Sequence, residues 1–163
     1  MGDLAKVIEY WGQAVHEYRA AKSKWGDMVS TSNLAEALIA VGRLEEAKSN
    51  AEYGLALARE MNNLEQIGSA STNLAIWAIE EGRFEEATQY AEEALRSHQQ
   101  VGHDAHIANS MAVLAQIAFK QKNFDEARHL LEESVGILKR VGNKLYLEQR
   151  EQELAEVMFA QAT

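Results

Sequence analysis

Apolar residues fall three and four positions apart along much of the chain, as in Leu34, Leu38 and Val41, then Leu44, Ala47, Ala51, Leu55 and Ala58. That spacing gathers side chains on one face of an α-helix. Gly42-Arg43 separates the two runs, so the pattern predicts helix, turn, helix. The whole arrangement then returns with a period of 40 residues. Asn33-Leu34-Ala35 recurs as Asn73-Leu74-Ala75 and, with its first residue changed, as Val113-Leu114-Ala115, and Leu154-Ala155 continues the series. Gly42-Arg43-Leu44-Glu45-Glu46-Ala47 recurs as Gly82-Arg83-Phe84-Glu85-Glu86-Ala87 and as Lys122-Asn123-Phe124-Asp125-Glu126-Ala127. A third anchor joins Leu55, Leu95 and Val135, each preceded by a small residue: Gly54, Ala94 and Ser134.

Each period is therefore two helices. The pattern places helices at about residues 4–24, 27–41, 44–61, 64–81, 84–101, 104–121, 124–141 and 144–161. Gly and Asn at Asn62, Gly102 and Gly142 suit the left-handed conformation that closes a helix. Trp25-Gly26-Asp27 is expected to break the first pair about one turn late, lengthening the opening helix and shortening the next. Acidic residues at 45/46, 85/86 and 125/126 open the second helix of each pair, where they complement the positive end of its dipole.

Neither helix of such a pair can bury its apolar face alone, so successive pairs must stack and share a continuous core. The fold class is all-α, a solenoid of stacked antiparallel helix pairs with about eight helices. The period divides 1–163 into a half repeat at 1–26, repeats at 27–63, 64–103 and 104–143, and a half repeat at 144–163. Half pairs at the two ends raise the alternative of head-to-tail homo-oligomerisation through the terminal helices. Such a heterologous contact generates rings or filaments.

The Asn-Leu-Ala and Gly-Arg-Phe/Leu-Glu-Glu-Ala anchors resemble the tetratricopeptide repeat, in its lengthened subclass of about 40 residues. The resemblance covers essentially the whole chain and implies a right-handed superhelix. Similar arrays occur in cell-polarity adaptors and in large bacterial signalling and transcription regulators, so a ligand-sensing segment of a bacterial regulator is a further alternative. This chain departs from the family pattern in lacking the proline common at the end of the second helix and a tryptophan that recurs at a fixed position in the first.

Composition narrows the chemistry. Cysteine is absent, which removes disulfides, thiolate metal sites and thiol nucleophiles, and proline is absent, so no helix is forced to break. Sixteen basic against 25 acidic residues give a net charge of −9, a field that repels nucleic acid and anionic membranes and favours neutral or basic partners. The amino terminus lacks the basic and apolar segments of a signal peptide, and no apolar stretch is long enough to cross a membrane, so a cytoplasmic location is expected.

Reactive constellations are few. His98, His103, Asp104 and His106 are the one group of metal-ligand types, but their spacing is poor and His103-Asp104 falls where the other units carry capping residues, so turn duty is the simpler reading. His16 and His129 stand alone among helical neighbours with no obvious catalytic partner, and packed or surface histidines are the simpler reading. Adjacent acids such as Glu80-Glu81, Glu92-Glu93 and Glu132-Glu133 diverge by about 100° around a helix and mark solvated faces. No glycine-rich phosphate loop is present. No cofactor, no metal and no enzymatic activity are expected.

The family resemblance implies that the first helix of each pair lines a concave groove, with a polar contact to an extended peptide just before Leu-Ala. Carried over, this singles out Asn33 and Asn73, whose amides can donate and accept at once. Along the same strip come Glu36, Ile76, Gln116 and Glu156, then Ile39, Ile79 and Phe119. Lys120 is the one cation near the strip, so the carboxylate clamp of chaperone-binding relatives is missing. Asn33, Glu36, Asn73, Ile76, Gln116, Phe119 and Lys120 are thus the candidate contacts of a scaffold that holds a neutral or basic peptide or helical segment of a partner protein.

Overall fold

The computed structural model describes residues 2–162 and consists there of eight helices. They are α1 (Gly2–Ala20), α2 (Lys24–Ala40), α3 (Leu44–Glu60), α4 (Leu64–Glu80), α5 (Phe84–Val101), α6 (Asp104–Lys120), α7 (Phe124–Val141) and α8 (Lys144–Ala162). Each helix packs on the next in the chain, and α4 also touches α2 and α6. No comparable contact joins odd-numbered helices among the described residues. The even-numbered helices therefore crowd together on the inner side of a curved stack, and the odd-numbered helices fan out behind them.

The turns explain the regularity. A left-handed residue closes every inter-helix turn at steps of 20 residues: Lys22, Gly42, Asn62, Gly82, Gly102, Lys122 and Gly142, with φ between 51° and 76°. In each, the following amide donates to the carbonyl five residues back, as from Arg43 to Leu38 (2.9 Å) and from Arg83 to Ala78 (2.8 Å). This is the Schellman closure, which satisfies carbonyls the helix end leaves unpaired. Identical turns reverse the chain identically, so a constant period becomes a constant stacking geometry.

The first break differs from the sequence expectation. α1 ends at Ala20 and the turn lies at Ala21-Lys22-Ser23, in step with the others, while Gly26 is buried inside α2. Ser23 caps α2 by accepting the Gly26 amide at 3.3 Å. The glycine serves close approach instead of chain reversal, since a Cβ there would lie 2.2 Å from the Tyr18 ring.

Small residues fill the interior where even helices meet their neighbours. Ala35, Ala75 and Ala115 are buried on α2, α4 and α6, and Ala47, Ala87 and Ala127 at the start of α3, α5 and α7. Larger side chains interlock between them, with Leu55 and Leu74 in one cluster and Trp77, Val113 and Ile117 in the next. Trp77 belongs to this core, its ring flanked by Lys48 Nζ at 4.6 Å and the Arg83 guanidinium at 5.3 Å. The acids opening the odd helices do more than face a dipole: Glu46 pairs with Arg43 at 2.6 Å and Glu86 with Arg83 at 2.9 Å across the first turn.

Candidate functional site

A groove of about 850 Å³ runs across the inner face, walled by α2, α4, α6 and α8. All seven candidate contacts lie on its wall: Asn33 and Glu36 from α2, Asn73 and Ile76 from α4, and Gln116, Phe119 and Lys120 from α6. Stacking at a constant turn geometry sets equivalent positions of successive even helices side by side, so residues 40 apart in the chain become lateral neighbours on one wall. Glu156 joins the wall, whereas Ile79 on the same sequence strip turns into the core.

The two asparagines behave differently. Asn73 is buried, and its Nδ2 donates to the Ser32 carbonyl oxygen of α2 at 3.0 Å. Asn33 is half-buried on the groove wall, and its amide has no hydrogen-bond partner among the described residues. At the equivalent positions α6 carries buried Val113 and α8 carries Glu153, so hydrogen-bonding capacity is uneven along the groove.

The far end of the groove holds a residue that sequence reasoning passed over. Arg150 lines it from α8, buried to 7% exposure, with Nη1 on Glu153 at 3.1 Å. Burial lowers the Arg150 pKa and raises that of Glu153, while their mutual attraction opposes both shifts. Lys120 is thus one of two cations on the wall, set against Glu36, Glu65, Glu153 and Glu156. Position 150 is in register with Ser30, Ala70 and Ser110, all buried, and that register was the available signal.

The histidines are also redistributed. His98 sits in the core beside the groove, with Nδ1 2.9 Å from Ser110 Oγ and its ring against Gly68, where a Cβ would lie 2.3 Å from Nε2. Burial, reinforced by repulsion from His106 and His103, pushes the His98 pKa down to about 4. Burial and then His103 lower that of His106 as well. Ser23, Asn63 and Asn143 cap their helices through side-chain oxygens, but His103 at the same register makes no side-chain cap. Its Nδ1 faces His106 Nδ1 at 3.0 Å, which corrects the expectation of a plain capping role. Asp104 turns away, 3.8 Å from Arg140.

Comparison with known proteins agrees with this geometry. Models described as tetratricopeptide repeat match residues 66–140 and 28–49, together more than half of the chain. The chain belongs to the tetratricopeptide-repeat family. Among solved structures it is similar to BtubC (BKLC) from P. vanneervenii at 22% identity and a TM-score of 0.80, covering 99% of this chain and 67% of that one. Nearly identical TPR-like repeats from Podosopora anserina align at 22% identity and a TM-score of 0.71, covering 99% and 80%. Aspartyl phosphate phosphatase F from Bacillus subtilis aligns at 15% identity and a TM-score of 0.64 over 91% of this chain and 44% of its own length. At these identities the likeness is one of fold. No curated protein sequence matches. Among the described residues no helix is long and apolar enough to cross a membrane.

Proposed function

We propose that this tetratricopeptide-repeat domain is a cytoplasmic, non-enzymatic scaffold whose groove holds an extended or helical segment of a partner protein. The observation that carries the reading is the open inner wall, where a half-buried Asn33 amide, Ile76, Gln116 and Phe119 stand side by side across three successive even helices. Such a wall offers main-chain hydrogen bonding and apolar anchoring at once, the combination that peptide recognition uses. Four carboxylates against two cations favour neutral or basic segments over acidic ones and over nucleic acid.

Fluorescence anisotropy with labelled peptide pools of matched length tests the reading. Basic and neutral pools should bind and the acidic pool should not, and Glu36→Lys should weaken the basic pool. Equal binding of all pools, or none at all, sinks it.

A second reading rests on the exposure of apolar side chains at the two ends of the stack. Leu145 is 79% and Met158 53% exposed on α8, and Leu4 and Val7 are exposed on α1. Association of α8 with α1 of another copy would cover them. Sedimentation velocity over a wide concentration range separates the readings: assembly requires mass to rise with concentration, and Leu145→Glu should suppress the rise.

A further inference from the structure

Glu65 stands in the first turn of α4, His103 at the N-cap of α6 and His106 three residues further on, so the three side chains come from successive repeats. His103 Nδ1 lies 3.0 Å from His106 Nδ1 and 3.7 Å from Glu65 Oε1, and one donor atom from each residue falls within 4.8 Å of the others. At this distance one imidazole, protonated at Nδ1, donates to the Nδ1 lone pair of the other, and a cation that takes the place of that proton meets both lone pairs at once. His103 holds this position while giving up the capping hydrogen bond that Ser23, Asn63 and Asn143 make at the same register.

We infer that Glu65, His103 and His106 bind one divalent transition-metal ion of the zinc class at the lip of the groove. Two imidazole nitrogens and a carboxylate oxygen suit zinc and its neighbours better than magnesium or calcium, which prefer oxygen alone. With metal–nitrogen bonds of about 2.0–2.1 Å at a tetrahedral angle, the two Nδ1 atoms stand about 3.3 Å apart. Starting from 3.0 Å and 3.7 Å, the two edges that meet at His103 need change by only a few tenths of an ångström, and the Glu65–His106 edge, within 4.8 Å, closes by rotation of the Glu65 side chain. The side chains that move, His103 and Glu65, are each about half exposed. His106 is steadied from behind by the His98 ring, with centroids 4.9 Å apart. Asp104, engaged with Arg140, stays outside the set.

Two consequences follow from the placement. Ligands from α4 and α6 tie neighbouring helix pairs together, and the angle between pairs is what sets the curvature of a repeat stack. Three protein ligands leave a fourth position open, and Glu65 and His106 both line the groove, so a carboxylate or imidazole of a bound segment can complete the coordination. The binding of the ion itself stands on the histidine geometry and is independent of whether the groove takes a peptide.

The test uses the full chain, stripped with a chelator, exchanged into metal-free buffer and titrated with zinc chloride by calorimetry. Saturable binding of one ion per chain is expected, with the thermal midpoint raised by about 5–10 °C at a free zinc concentration ~100 times Kd. The double substitution His103→Ala, His106→Ala should abolish both, and Glu65→Gln should weaken binding about tenfold or more. His129 lies 3.4 Å from Glu133 on α7, so His129→Ala, which should leave binding unchanged, reports adventitious uptake. Absence of saturable binding, or binding that survives the double substitution, overturns the site. If circular dichroism shows the double variant to have lost helix, Glu65→Gln decides alone, and unchanged affinity overturns the site.

Discussion

The Asn73 amide donates to the Ser32 carbonyl oxygen at 3.0 Å, a buried bond between α4 and α2 that ties two successive helix pairs together across the floor of the groove. Asn33, one period earlier in the chain, has its amide unengaged among the described residues. Two residues in identical motifs therefore have different work. Replacing Asn73 by Ala should cost about 1–2 kcal/mol of stability, because it leaves a cavity and removes a buried hydrogen bond. Asn33→Ala should stay within about 0.5 kcal/mol of wild type while weakening peptide capture. Urea unfolding beside a binding isotherm checks both, and similar unfolding midpoints for the two variants would contradict the assignment.

The left-handed turn residues give a paired prediction. Lys22, Asn62 and Lys122 hold φ values of 56°, 51° and 63° where the other four turns use glycine. A side chain in that region costs roughly 1 kcal/mol, so Lys122→Gly should stabilise by up to about that amount and Gly82→Ala should destabilise by a similar one. Thermal melts decide the sign.

Asp27 is a hub. Its carboxylate accepts from Arg19 Nε at 3.0 Å, Thr31 Oγ1 at 3.0 Å and Tyr53 Oη at 2.8 Å, joining α1, α2 and α3. Accepting the phenolic proton, Asp27 raises the Tyr53 pKa. Asp27→Ala should lower stability by about 2–3 kcal/mol, since Thr31 is fully buried and loses its partner. In the same variant the Tyr53 titration, followed by absorbance, should move down toward the ordinary phenol value.

His98 predicts an acid-sensitive fold. Its pKa is held near 4 against an ordinary 6.5, so the unfolded chain takes up a proton more readily than the native one between those values. The stabilisation from keeping this ring neutral is fully present above 6.5 and is lost as pH falls toward 4, on the order of 2 kcal/mol in all. Urea midpoints measured with a chelator present should fall over that window, and His98→Asn should flatten the fall. A wild-type midpoint constant from pH 7 to pH 4 would refute the assignment.

Helix number and the two-helix period were legible in the sequence, and the family resemblance added the expectation that the first helix of each pair faces one groove, whose wall carries all seven candidate residues. Period-40 anchors and helical apolar spacing are local properties, and a repeating turn converts them directly into geometry. Gly26 misled because a glycine in a helix pattern signals either chain reversal or close approach, and the Tyr18 ring that distinguishes them belongs to another helix.

What the sequence by itself determined, then, is the list of elements and the face each presents, because both follow from spacing within one helix. Only the tertiary structure decided which side chains meet: that Asn73 is committed to α2 while Asn33 is not, that Arg150 enters the groove, and that Glu65 arrives beside His103 and His106. Those pairings join residues 38 to 41 positions apart, and their distances depend on the stacking angle between helix pairs, a quantity no single helix encodes.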